Sequence, residues 1–206
     1  MPVEVVTFLF SNEYIRKSLQ VRIIFQCAPF LKGLKAACMV SVEKEFCQEF
    51  QKVFEGTDME YKILSENKGR RLVFLYRRNE LSAYLRRDEV RNFLENYGYS
   101  CEDFESALGR LSERVCRYAC ENRGFPHEIG AFLNYPIEDV KAFIKQGGKG
   151  EIMNGYWKVY HNPRRARFIF QAYDKAQTSA VNEYLAGRSI REIGGRKRTG
   201  RSFFCV

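Results

Sequence analysis

YKILSENKGRRLVFLYR, Tyr61 to Arg77, is the stretch on which the fold turns. Tyr61 to Leu64 and Arg71 to Arg77 are β-rich runs, and Ser65-Glu66-Asn67-Lys68-Gly69 between them is turn chemistry, so the spacing predicts strand, turn, strand. Leu72-Val73-Phe74-Leu75-Tyr76 has no polar alternation, which predicts a central strand covered on both faces. Such a strand needs helices on either side of it.

The flanking sequence supplies them. Upstream, Tyr14, Ile15, Leu19, Ile23 and Ile24 follow Ser11 at helical spacing. This helix is expected to end at Cys27-Ala28-Pro29, because proline disfavours helical geometry in the residue before it, leaving Phe30 to Leu34 as a separate short turn. Ala37 to Val42 is small, apolar and β-branched, a strand, and Glu43 to Phe54 returns to helical spacing until Gly56. Downstream, Asn79 opens helical spacing that Asp88 re-caps. Ser100 with Asp103 approximates a capping box for a helix with apolar positions Phe104, Leu108, Leu111, Val115 and Tyr118. Pro126 opens a short helix with His127 to Leu133, and Pro136 opens another that stops at Gly147-Gly148. The aromatic stretch Ile152 to Tyr160 is a further strand, and Asn162-Pro163 starts a long helix stopped by Gly187. The expected fold is α+β: a small, mostly antiparallel sheet of about four strands covered by helices. It forms a single domain over residues 11–193, with 1–10 as an N-terminal extension or edge strand and 194–206 as a basic, flexible tail.

Composition fits that picture. The 206 residues are 45% hydrophobic and 15% aromatic, enough to bury a core without disulfides or metal. No apolar run approaches the roughly 20 residues of a membrane span. Glu4 interrupts the apolar start, and neither a basic n-region nor a small-residue cleavage site accompanies it, so no secretion signal is expected. The seven cysteines are odd in number and irregular in spacing, which suits reduced thiols in a cytoplasm. Cys116 and Cys120, one helical turn apart, are expected to be core thiols rather than half of a metal site. The net charge of +9 is uneven. Arg188, Arg191, Arg196, Lys197, Arg198 and Arg201 face only Glu192, so more than half of the excess sits in the tail, where it suits nucleic acid or another anionic partner, or is simply solvated.

Four blocks carry a resemblance. They are Cys27-Ala28-Pro29-Phe30-Leu31-Lys32-Gly33-Leu34-Lys35, then Leu75-Tyr76-Arg77, then FPHEIGAFLNYPIEDVKAFI from Phe125 to Ile144, and GYWKVY from Gly155 to Tyr160. On these the chain resembles a bacterial domain-of-unknown-function family, number 3793 in that series, from about Tyr14 to Ile193. The resemblance implies a small cytoplasmic protein and brings no activity, cofactor or partner with it. Members usually have proline where this chain has Ala36, and often cysteine where it has Asn154, so a mechanism needing that second cysteine does not carry over.

Within the blocks, three chemistries compete. His127, one of only two histidines, begins a helix beside Glu128, and imidazole suits proton transfer or ligation near neutral pH; His161 lies outside the blocks. The bland reading is that His127 and Glu128 cap a first turn. Cys27 would sit at the N-terminus of the Phe30 to Leu34 turn, near Lys32 and Lys35, where a thiolate is stabilised. Cys27, His127 and Glu128 together would make a nucleophilic thiol site for acyl transfer or hydrolysis, whereas a structural Cys27 would pack a corner. The same thiolate and imidazole could instead bind iron or haem. A binding surface is the third reading. Lys35, Tyr156, Trp157, Lys158 and Tyr160 would form a ligand site, and with Arg70, Arg71, Arg77, Arg78, Arg86, Arg87, Arg164, Arg165 and Arg167 the aromatics could stack on nucleic-acid bases if exposed. No P-loop, Gly-x-Gly-x-x-Gly, Gly-x-Ser-x-Gly or His-Glu-x-x-His motif is present, which disfavours those enzyme classes.

Overall fold

A computed structural model describes residues 19–121 and 124–195. The extension 1–10 and the tail cations Arg196, Lys197, Arg198 and Arg201 lie outside the described residues. In chain order the elements are α1 (Leu19–Leu31), β1 (Ala37–Glu43), a 3-10 turn (Lys44–Phe46), α2 (Cys47–Phe54), β2 (Glu60–Asn67) and β3 (Arg70–Tyr76). There follow α3 (Arg78–Leu85), α4 (Asp88–Glu95), α5 (Phe104–Glu121), α6 (Ile129–Phe132), α7 (Ile137–Lys145), β4 (Met153–Asn154), β5 (Lys158–Val159), α8 (Pro163–Leu185) and α9 (Ile190–Gly194).

The hairpin forms with a tighter turn than expected: Ser65, Glu66 and Asn67 extend β2, and only Lys68-Gly69 turn. Lys68 and Gly69 both take positive φ, 48° and 74°, as a two-residue type I′ turn requires, and set β2 antiparallel to β3. β1 pairs antiparallel with the other edge of β3, so the strand order is β1-β3-β2 and β3 is central. Its alternation assigns the two faces. Val73 and Leu75 join Cys38, Val40 and Val42 against α1, α2, α8 and α9, whereas Phe74 and Tyr76 join Ala37 and Leu64 against α3 to α7. Each face is thus a separate layer of core, with the three-stranded sheet between them.

Four further local expectations change. Helix α1 does not stop before Pro29 but runs through it to Leu31. The proline ring removes the N–H that would have bonded the Phe25 carbonyl one turn earlier, and the Gln177 side chain of α8 donates to that carbonyl instead, at 2.9 Å. The cap of α5 is Asp103, whose carboxylate accepts from the Glu105 and Ser106 amides, without Ser100. The Ile152 to Tyr160 stretch folds back on itself as a two-stranded ribbon, β4 and β5, apart from the main sheet. Gly155 makes that bend possible, because a Cβ there would lie 2.2 Å from the Phe170 ring. Cys116 and Cys120 are exposed rather than core: the apolar stripe of Phe104, Leu108, Leu111 and Val115 turns inward, and the two thiols fall on the solvent side of α5, 4.0 Å apart.

Candidate functional site

The four blocks meet around the corner between α1 and the outer edge of β1. Helix α1 ends in a left-handed Gly33 (φ 70°), and the loop turns at once into β1. Asn134, itself at φ 58°, holds the strand entry by accepting from the Ala36 amide at 2.9 Å. Arg77 holds it from the other side. It is buried (1% exposed); its guanidinium donates to the carbonyls of Phe30, Leu31 and Gly194 and to Asp58, and lies 4.6 Å above the Phe30 ring. The last carbonyls of α1 thereby gain a donor, Phe30 O in addition to the Gly33 amide that already bonds it. Arg77 is a strut, not part of an exposed basic surface.

Asp139 does the same for the aromatic ribbon. It sits in the first turn of α7, where the helix dipole favours a carboxylate, and is 3% exposed. Trp157 Nε1 donates to it at 2.8 Å, the amides of Tyr160 and His161 donate at 2.9 and 2.8 Å, and His161 Nδ1 is 3.3 Å away. Trp157 then stacks on Tyr135, ring centroids 5.6 Å apart. His161, outside the blocks, therefore joins the site through its backbone and ring.

These contacts enclose a cleft of about 250 Å³. Its floor is Met39 of β1 with Ile129, Leu133 and Val140, and its aromatic walls are Phe125, Phe143, Tyr135 and Trp157. The rim carries His127, which is exposed and 4.9 Å from the Phe143 ring, and Lys158, which is tied to Gly148 O at 2.7 Å and Glu151 at 2.9 Å. Gly130 keeps α6 against α7: a Cβ there would approach Val140 to 2.9 Å. A second cavity of about 150 Å³ shares Met39, Leu133 and Tyr135 with the first and is lined also by Lys35, Cys38 and Tyr156.

The structure separates several residues that the sequence suggested together. Cys27 lies inside α1 rather than at a helix N-terminus, and is fully buried on the α1 face of the sheet. A hydrogen bond with Cys38 and burial push its thiol well up, away from the reactive thiolate. His127 lines the cleft on the other face with Met39 and Ile129, and no described cavity has both Cys27 and His127 on its wall. Glu128 is 1% exposed and accepts from Tyr99 Oη and Arg114 Nε, so it braces α6 against α5 rather than orienting the imidazole. Burial, with the adjacent Glu128 charge second, pushes the Tyr99 hydroxyl up. Among the described residues no group of three or more His, Cys, Asp or Glu could hold a metal ion.

The basic, aromatic surface divides in the same way. Trp157 and Tyr160 are buried, and the half-buried Tyr156 donates its hydroxyl to Asp174 at 2.9 Å, so the three do not form an open stacking platform. Arg70, Arg71 and Arg78 are paired with Glu43, Glu66, and Glu60 with Glu105, respectively; Arg188 is paired with Glu183, and Arg191 donates to the Lys52 carbonyl. Arg86, Arg87, Arg164, Arg165 and Arg167 are exposed. Sequence reasoning missed Met39, Tyr135, Asp139 and Phe143. Asp139 had a signal, an acid in the first turn after Pro136, whereas Met39 on a strand gave none.

A family model described as "Protein of unknown function (DUF3793)" matches residues 23–194. No curated protein and no solved structure matches the chain. Among the described residues no helix is long and apolar enough to cross a membrane.

Proposed function

We propose, from the premise that the chain belongs to this family of unknown function, that it binds a small, largely apolar ligand of about one ring in the cleft beside β1. One observation carries the reading. The FPHEIG block and the GYWKVY block, far apart in sequence, build one concave, mainly apolar surface whose polar groups are few: Asp139, which is saturated, the Tyr135 hydroxyl, the Trp157 N–H held by Asp139, and His127 and Lys158 at the rim. Concave apolar walls with a few polar groups at fixed positions are the usual form of a small-molecule site. His127 and Lys158 would then select a ligand carrying one hydrogen-bonding group.

Trp157 is the only tryptophan, so its indole N–H resonance reports on the cleft directly. Phenol and cyclohexanol, titrated into the full chain, should shift that resonance saturably with a dissociation constant of about 1 mM, or roughly −4 kcal/mol. Phe143→Ala, which removes one wall from a half-buried position, should weaken phenol about tenfold. A Trp157 signal that ignores both probes would end this reading.

A further inference from the structure

Four charged side chains are buried among the described residues: Lys35, Arg77, Glu128 and Asp139. Burying a charge is costly unless partners replace its hydration. Arg77 has three carbonyls and a carboxylate, Asp139 has Trp157 and the ribbon amides, and Glu128 has Tyr99 and Arg114. Lys35 differs from all three. It is 8% exposed, and no carboxylate among the described residues lies within ion-pair distance of it, although Lys32, Lys44 and Lys158 are each paired with a glutamate.

The groups that face Lys35 come from four elements. The Tyr135 ring, between α6 and α7, lies 4.9 Å from its ammonium; Cys27 on α1 and Cys38 on β1 act on its charge; and Tyr156 of the ribbon shares its cavity. None is a carboxylate. The Cys27 thiol is held protonated by Cys38 and by burial, and Tyr135 is also pushed up by burial. Desolvation, only partly offset by Cys38 and Cys27, lowers Lys35 to about 8, so near neutral pH it remains mostly charged with no carboxylate beside it. The loop that carries it is pinned at both ends, by the α1 terminus through Leu34 N to Pro29 O at 2.7 Å and by Asn134 on the Ala36 amide.

We infer that the cavity at Lys35 binds a small organic carboxylate, whose anionic group meets the Lys35 ammonium while a short apolar chain rests against Pro29, Phe30, Met39 and Leu133. The cavity volume, about 150 Å³, suits a few heavy atoms, and its lining is apolar and aromatic apart from Lys35, Gln26, Cys38 and the tyrosine hydroxyls. A single cation with no arginine fork fits one negative charge better than a phosphate dianion. The inference concerns a different cavity from the cleft and does not depend on ligand binding there.

The test is direct observation of the amine. In the full chain with Cε-labelled lysines, one resonance, assigned by its loss in Lys35→Met, should titrate near pH 8. Butyrate at constant ionic strength should raise that midpoint by one pH unit or more, because an anion favours the charged amine, which corresponds to about tenfold tighter binding to the ammonium form. As pH rises from the free midpoint to the butyrate-bound one, butyrate affinity should fall, by about tenfold in all for a one-unit shift, and then level off. Chloride and phosphate should leave the midpoint in place, and Lys35→Met should weaken butyrate at least tenfold while phenol still shifts Trp157. A Lys35 midpoint that butyrate does not move, one that moves equally with chloride or phosphate, or one at the ordinary lysine value would overturn the inference. The wild-type titration stands by itself if the variant folds poorly.

Discussion

Arg77 and Lys35 are two buried cations on either side of one loop, and their surroundings are opposites. The Arg77 guanidinium is met by the Phe30, Leu31 and Gly194 carbonyls at the ends of α1 and α9 and by the Asp58 carboxylate, so its charge completes the fold. The Lys35 ammonium faces an aromatic ring, two thiols and an open cavity, so its charge completes nothing in the protein itself. A buried charge with all its partners is architecture. One without them is a cost, and its natural explanation is a partner from outside.

The contrast can be broken at either cation. Arg77→Met should produce the largest effect, a loss of about 3 kcal/mol in urea unfolding, because the Leu31 and Gly194 carbonyls and Asp58 lose the guanidinium and Phe30 O keeps only the Gly33 amide. Little or no loss would mean that those carbonyls find other donors. Asp139→Asn comes next, at about 2 kcal/mol, since an amide cannot accept from every donor now aimed at the carboxylate, and Trp157 emission should shift with it. Lys35→Met should act in the opposite direction and stabilise the protein by about 1 to 2 kcal/mol at pH 7. The sign follows from linkage. With its folded value lowered to about 8, Lys35 costs stability in full below that pH. As pH rises through 8 toward the ordinary lysine value, the folded state sheds its proton before the unfolded state does, and the advantage of the variant should shrink. A lead that persists unchanged to pH 10 would place the effect in packing. The smallest change belongs to His127→Ala, within about 0.5 kcal/mol of wild type because the ring is exposed, and its effect should appear in phenol binding alone.

How far the sequence could be read follows from the range of the interactions. The hairpin was legible because its signal is local: the chain must turn within Ser65 to Gly69, and the run after it must be covered, although pairing carries β2 on to Asn67. The exit from α1 was not, since the proline rule is also local and the Gln177 side chain that compensates for Pro29 comes from 148 positions downstream. The candidate site shows the same division. His127, Lys35, Trp157 and Lys158 were singled out by residue type and line the two cavities, but Cys27 was paired with His127 on chemistry alone, and the sheet that separates them is set by the alternation of β1 and β3. Glu128 looked like a partner for its neighbour until its acceptor role toward Tyr99 and Arg114 was visible.

The gap that Pro29 leaves in α1 also sets a register. Ahead of the last turn of that helix, Pro29 takes away the amide that would bond the Phe25 carbonyl, and the Gln177 side chain on α8 meets that carbonyl. Sliding α8 by one residue would present Ala176 or Thr178, and sliding it one turn toward its end would present Val181, none as long as the glutamine and two with no donor at all. An even, fully bonded pair of helices could settle at several offsets of similar energy. The defect favours one offset over its neighbours, so the irregular point in the backbone helps to set how two helices far apart in sequence dock.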